Sequence, residues 1–143
     1  MSNKILIASD HAGFDLKKKL IKEMNKIVFE DLGTNSAENA DYPDYANELA
    51  RKIGSDNNIK GVLICGTGVG MSVAANKFKN IRAGLAFNSK VAKLIREHND
   101  ANILVLPGRY MDIHEAKKCV ENFLTSSFEG GRHIRRLNKI VKE

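Results

Sequence analysis

The sequence predicts an α/β protein, a Rossmann-like three-layer αβα sandwich built on a five-stranded parallel sheet with an extra helix at the C-terminus. Three features predict it. Short, continuously apolar runs alternate with amphipathic stretches at intervals of about 25 to 30 residues, the rhythm of βα units. The runs, such as Ile5 to Ala8 and Val62 to Ile64, lack the polar alternation of a half-exposed strand and suit a sheet covered on both faces. A glycine-rich turn, Gly66-Thr67-Gly68-Val69-Gly70, joins the third run to the helix that follows it. The 143 residues fit one domain, 1–143, with a self-sufficient core.

Lys4 to Ser9 reads as the first strand and ends at Asp10-His11. Ala12 to Asn25 follows as a surface helix, with Leu16, Leu20, Ile21 and Met24 on one face and Lys17, Lys18 and Lys22 expected on a solvated one. A second strand over Ile27 to Leu32 leads into a polar loop, Gly33 to Asp44, whose Asp41-Tyr42-Pro43 is accounted for by turn chemistry. Tyr45, Ala46, Leu49, Ala50 and Ile53 form the apolar face of a second helix that Gly54 ends. Gly61 to Cys65 is the third strand, and the third helix runs from the glycine turn to about Lys77.

Ile81 to Ala86 reads as the fourth strand, and Val91, Leu94 and Ile95 mark a fourth helix running out at Glu97-His98-Asn99-Asp100. The fifth strand, Ile103 to Leu106, stops at Pro107-Gly108-Arg109. Ile113, Ala116, Val120, Phe123 and Leu124 face inward on helix five, with Cys119 beside them as core and His114 as a structural residue. A last helix, His133 to about Lys142, sets Ile134, Leu137, Ile140 and Val141 opposite Arg132, Arg136 and Lys139. Its apolar side could dock on its own chain or on a neighbouring subunit. Its arginine pair could clamp a phosphate or be solvated.

Composition narrows the function classes. With 43% hydrophobic and 28% charged residues and two prolines, the chain reads as ordered and soluble. A net charge of +6 suggests an anionic partner, either a nucleic acid or a small phosphate ester. The basic residues are scattered except at the tail, which disfavours a nucleic-acid binder. Two cysteines without paired or metal-ligand spacing point to a reducing cytoplasm and to no metal or cofactor. The N-terminal apolar run is too short for a signal peptide, and no stretch reaches the length of a membrane span.

The most informative stretch is Gly61 to Lys77. Glycines permit a tight turn, and the amides that open the next helix form a cradle for phosphate, carboxylate or a developing oxyanion. A helix N-terminus also favours thiolate, so Cys65 is positioned to act as a base or nucleophile. The turn is not a Walker A loop, because no Lys-Ser/Thr pair closes it, and Ser72 and Val73 stand where a dinucleotide fingerprint has its third glycine. A nucleotide-type turn with Cys65 as a plain core residue remains the alternative. In open parallel sheets ligands bind at the carboxyl ends of the strands, where Asp10, His11, Cys65 and Thr67 fall. His98 and Tyr42 are expected to converge on the same rim. Singly, Asp10 could be a helix cap, Tyr42 a loop packer, and His11 and His98 ordinary polar residues at element ends. Together, a thiol base, two histidines, an aspartate, an amide cradle and arginines suit proton transfer beside a carbonyl, as in aldose-ketose isomerisation.

Five motifs, Ser9-Asp10-His11-Ala12-Gly13, Asp41-Tyr42-Pro43, Cys65 to Gly70 with Ala75-Asn76-Lys77, Arg96-Glu97-His98-Asn99 and Glu129-Gly130-Gly131-Arg132-His133, span nearly the whole chain. In this order and spacing the sequence closely resembles type B ribose-5-phosphate isomerases, a sugar-phosphate isomerase family that includes galactose-6-phosphate isomerase subunits. The resemblance implies that Cys65 moves the C1/C2 proton and that the amides of Gly66, Thr67, Gly68, Val69 and Gly70 hold the enediolate. It implies that His98 opens the furanose ring, assisted by Thr67 and Asp10. His11, Tyr42, Asn99, Arg109, Arg132 and Arg136 would contact substrate, the last two at the phosphate. A homodimer with a shared site is implied, with His98, Asn99 and Arg109 drawn from the second subunit and a tetramer left open. One branch of the family carries a glutamate base six residues after the cysteine position. Met71 stands there, which aligns the chain with the cysteine branch.

The expected reaction interconverts ribose 5-phosphate and ribulose 5-phosphate without metal or cofactor. The alternatives are an isomerase of galactose 6-phosphate or allose 6-phosphate and a non-catalytic sugar-phosphate sensor. A sensor would have no use for Cys65 with His98.

Overall fold

The computed structural model describes residues 4 to 141. Its elements are β1 (Lys4–Ser9), α1 (Phe14–Glu23), β2 (Phe29–Asp31), α2 (Tyr42–Ile53), β3 (Ile59–Cys65), α3 (Val69–Ala75), β4 (Ala83–Leu85), α4 (Ser89–Asn99), β5 (Ile103–Pro107), α5 (Ile113–Thr125) and α6 (Arg132–Asn138). The five strands form one parallel sheet in the order β2-β1-β3-β5-β4.

The continuous apolar runs follow from this order. In β1, β3 and β5 alternate residues serve two cores. Ile7, Val62, Ile64, Leu104 and Leu106 pack with Leu16, Leu20, Ile95, Val120 and Phe123 of α1, α4 and α5. Leu6, Leu63, Cys65, Ile103 and Val105 pack with Leu49, Ile53, Met71 and Ala75 of α2 and α3. Crossovers toward the β2 edge therefore use one face and crossovers toward the β4 edge the other, as a single handedness requires. The edge strands β2 and β4 span three residues each and are half-buried or exposed throughout, so their sequence signal is weaker.

This topology fixes where each helix begins and ends. Because β4 and β5 are parallel, α4 must start at the carboxyl edge of the sheet and finish at the amino edge, about 16 Å away for its length. The next helix, α5, descends in the same sense and delivers residues 126–131 and α6 to the amino edge. The Glu129 amide donates to the Glu97 carbonyl at 2.9 Å, tying that segment to the end of α4.

Three expectations need correction. Asp41-Tyr42-Pro43 is not a free loop: α2 begins at Tyr42, with Pro43 in its first turn, where proline's fixed φ and missing N–H cost nothing. The terminal helix is shorter than expected, ending at Asn138, and residue 142 lies outside the described residues. Its buried residue is His133 and Leu137 is half-buried, while Ile134, Ile140 and Val141 are exposed, so only part of its apolar side is covered by its own chain.

Lys17, assigned to a solvated face, is 1% exposed. Its Nζ donates to Asp31 Oδ1 and to the Thr34 carbonyl, both at 2.6 Å. The Gly33 amide also donates to Asp31 Oδ1, at 2.9 Å. Gly33 and Thr34 in turn exchange backbone hydrogen bonds with Ser9, the last residue before Asp10. Burying a lysine is tolerated when its charge is paired and its donors are used. Lys17→Met is expected to lower unfolding free energy by about 1 to 3 kcal/mol, less than for a fully dry pair because Asp31 keeps contact with water. Chemical denaturation checks this, and an unchanged midpoint would mean that the contact does not hold the fold.

No helix among the described residues is long and apolar enough to cross a membrane.

Candidate active site

At the carboxyl edge, β1 and β3 end side by side, and the loops that follow them lie next to each other. Cys65 closes β3 and is 4% exposed. The chain turns at Gly68, where φ is +80° and an added Cβ would lie 2.4 Å from Leu85 Cδ1, so only glycine fits without displacement. Thr67 Oγ1 accepts the Val69 amide at 3.2 Å. Gly70 carries the ring of Tyr42, which a Cβ would meet at 2.6 Å. Tyr42 thus belongs to this edge, placed there by the start of α2. Met71 is fully buried between α2 and α3, away from solvent.

Asp10 is buried, and its Oδ1 accepts the Gly13 amide at 3.0 Å, so it does cap the turn entering α1. His11 Nδ1 sits 3.1 Å from the Ala40 amide nitrogen and 3.2 Å from the Ala40 carbonyl oxygen, so the backbone of residue 40 fixes the ring. Arg109 follows β5, donates its amide to the Gly66 carbonyl at 3.0 Å, and lays its side chain against Gly66, where a Cβ would be 3.4 Å from its Cδ and Nη1. Asp10, His11, Tyr42, Cys65, the Gly66 to Gly70 turn and Arg109 therefore form one group within a single protomer.

His98 and Asn99 do not join them. They end α4 at the amino edge, as its direction demands. There the His98 ring stacks on His133, with centroids 4.4 Å apart and planes 17° from parallel. Glu129 Oε1 lies 3.8 Å from His98 Nε2 and 3.6 Å from His133 Nε2. His133 is 5% exposed, its Nε2 has no hydrogen-bond partner, and burial, followed by Arg132 and His98, pushes its pKa down against the opposing pull of Glu129. Arg132 and Arg136, both exposed, flank this stack on α6.

The expected convergence of His98 with Asp10, His11 and Tyr42 on one rim is thus wrong within a protomer: the candidate residues divide between opposite edges of the sheet. Within the protomer Arg109 lies with Cys65, and the arginines of α6 lie with His98. His133 and Glu129 were given no role from sequence, since nothing in a helical period marks a histidine that will stack across elements. Together with His98 they gather three possible metal ligands within 4.8 Å, a cluster invisible to sequence spacing.

The family model described as Ribose/Galactose Isomerase matches residues 5–140. A protein of Mycoplasma pneumoniae described as a probable ribose-5-phosphate isomerase B is 48% identical over 144 residues, covering 99% of this chain and 95% of that protein. A crystal structure of a ribose 5-phosphate isomerase from Thermotoga maritima is 49% identical and superposes with a TM-score of 0.92, covering 97% of each chain. The ribose-5-phosphate isomerase B of Mycoplasma genitalium, solved with bound ribulose 5-phosphate, is 45% identical, with a TM-score of 0.90, 97% of this chain covered and 94% of that one.

Proposed function

This chain belongs to the ribose/galactose isomerase family and is a sugar-phosphate isomerase, and we propose that it interconverts D-ribose 5-phosphate and D-ribulose 5-phosphate through an enediolate. The observation that carries this reading is the turn from Cys65 to Gly70, which sets a thiol at a strand end beside the glycine turn that opens α3. In the forward direction Cys65 takes the proton from C2 and returns it to C1, while the loop amides stabilise the negative oxygen of the enediolate. A second proton must pass from O2 to O1 for the ketone to form, and neither a metal nor a cofactor is assigned.

The ring-opening acid is His98 of the partner subunit, because a protomer's own His98 is at the far edge of its sheet. Thr67 and Asp10 assist it, and His11, Tyr42 and Arg109 contact the sugar from the Cys65 side. Asn99, Arg132 and Arg136 come with His98, the arginines holding the phosphate. An isologous homodimer supplies this arrangement. Its contact is supported by exposed apolar side chains at both edges that must meet: Val69, Phe87 and Tyr110 near the carboxyl edge, and Ile134 and Ile140 at the amino edge.

The test compares kcat/KM on ribose 5-phosphate, allose 6-phosphate, galactose 6-phosphate and unphosphorylated ribose. The five-carbon phosphate should be turned over best, and a clear preference for a six-carbon phosphate would reassign the substrate. Arg132→Ala and Arg136→Ala should each weaken binding of ribose 5-phosphate by about 1.5 to 3 kcal/mol, the range for hydrogen bonds to a charged group. Free ribose should be indifferent to both. Equal losses on the two sugars would mean that the arginines support the fold instead of the phosphate.

A further inference from the structure

A polar cavity of about 240 Å³ opens at the amino edge between the ends of α2 and α4 and the starts of β3, β4 and β5. Arg96 and Asp100 line it from one side of α4, whereas His98 projects about 200° around the helix from Arg96. The cavity is therefore separate from the histidine stack, and the far end of β3 separates it from Cys65 of the same protomer. Four cations, Lys60, Lys79, Arg82 and Arg96, share it with two carboxylates, Asp56 and Asp100, an excess of two positive charges.

The arginines have structural work. Arg96 Nη1 donates to Asp100 Oδ1 at 2.9 Å and to the Ala101 carbonyl at 2.7 Å. Arg82 donates to the carbonyls of Asn99 and Asp100 and to Asp100 Oδ2. These bonds cover the carbonyl end of α4, which would otherwise repel an anion. The lysines are not so explained. Neither Lys60 nor Lys79 forms an ion pair or side-chain hydrogen bond among the described residues, although both line the cavity. Arg96 is 8% exposed and its Nε has no acceptor. Burial, and then the Arg96 charge, push the pKa of Lys60 below the ordinary lysine value, with Asp100 opposing them.

We propose that this cavity binds a small phosphoanion, either inorganic phosphate or a compact phosphate monoester, through Lys60 and Lys79 with Arg82 and Arg96 behind them. Two excess charges match a phosphate dianion, and a cavity of this size takes a phosphate with a short substituent but not a nucleotide. The proposal does not depend on which sugar the enzyme isomerises.

Amide chemical shifts of the whole protein, followed as inorganic phosphate, glycerol 3-phosphate or sodium chloride is added, test it. Phosphate is expected to move Asn57, Asn80 and Asn102 along a saturable curve distinct from that of Gly66 to Gly70, with chloride at equal ionic strength giving no saturation. A tighter curve for glycerol 3-phosphate identifies an ester as the ligand, and a tighter curve for phosphate identifies the free ion. Lys60→Gln and Lys79→Gln should each raise the dissociation constant of the first curve about tenfold, with Lys60→Arg restoring it and kcat/KM for ribose 5-phosphate unchanged. Absence of saturation, equal saturation by chloride, or a curve unaffected by both glutamine variants overturns the site. A matching loss of kcat/KM in those variants would assign the cavity to the reaction's own phosphate and overturn it equally.

Discussion

Replacing Cys65 with alanine is expected to lower kcat by about 10² to 10⁴, the usual contribution of a positioned general base, with KM changed little. The thiol has no side-chain role in the sheet beyond filling space under α2 and α3, so thermal unfolding should shift modestly while turnover collapses. Cys119 is the internal control. It is fully buried on the opposite face of the sheet, and burial, with a smaller push from Glu115, drives its pKa up to about 12, so it supplies no base at neutral pH. Cys119→Ala should leave kcat within about twofold while costing some stability through the cavity it leaves. If both alanine variants keep near-normal turnover, or lose it alike, Cys65 is not the base.

The parts of this molecule legible in its sequence are those set by local periodicity and turn chemistry. β1, β3 and β5 were legible because burial on both faces leaves no polar residue in the run, and Gly68 because a left-handed turn admits little else. Lys17 was misread because a helical wheel gives its direction and not what stands opposite; its partners, Asp31 and Thr34, arrive from a separate strand and loop. The expected convergence of His98 with the Cys65 rim failed within one protomer for a different reason. Motif reading gathers polar residues at element ends, but α4 runs from one edge of the sheet to the other, so the residues at its two ends serve different surfaces. Chain direction, and not residue type, decides which candidates meet.

That separation makes the strongest demand on experiment. Equal amounts of inactive Cys65→Ala and His98→Ala proteins, mixed under conditions that allow subunits to exchange, should recover about a quarter of wild-type activity. Random pairing makes half of the dimers mixed. In each mixed dimer one site combines Cys65 and His98 from the two unaltered positions, while the other collects both lesions. Cys65→Ala paired with Arg132→Ala should recover activity by the same logic, since Arg132 accompanies His98. Cys65→Ala paired with Arg109→Ala should not, because Arg109 lies against Gly66 of the subunit that supplies the thiol, and every site then retains one lesion. Mass spectrometry of differentially labelled subunits verifies exchange. Exchange without recovery in the first pair would refute the shared site, and recovery in the Arg109 pair would move that arginine to the partner's side.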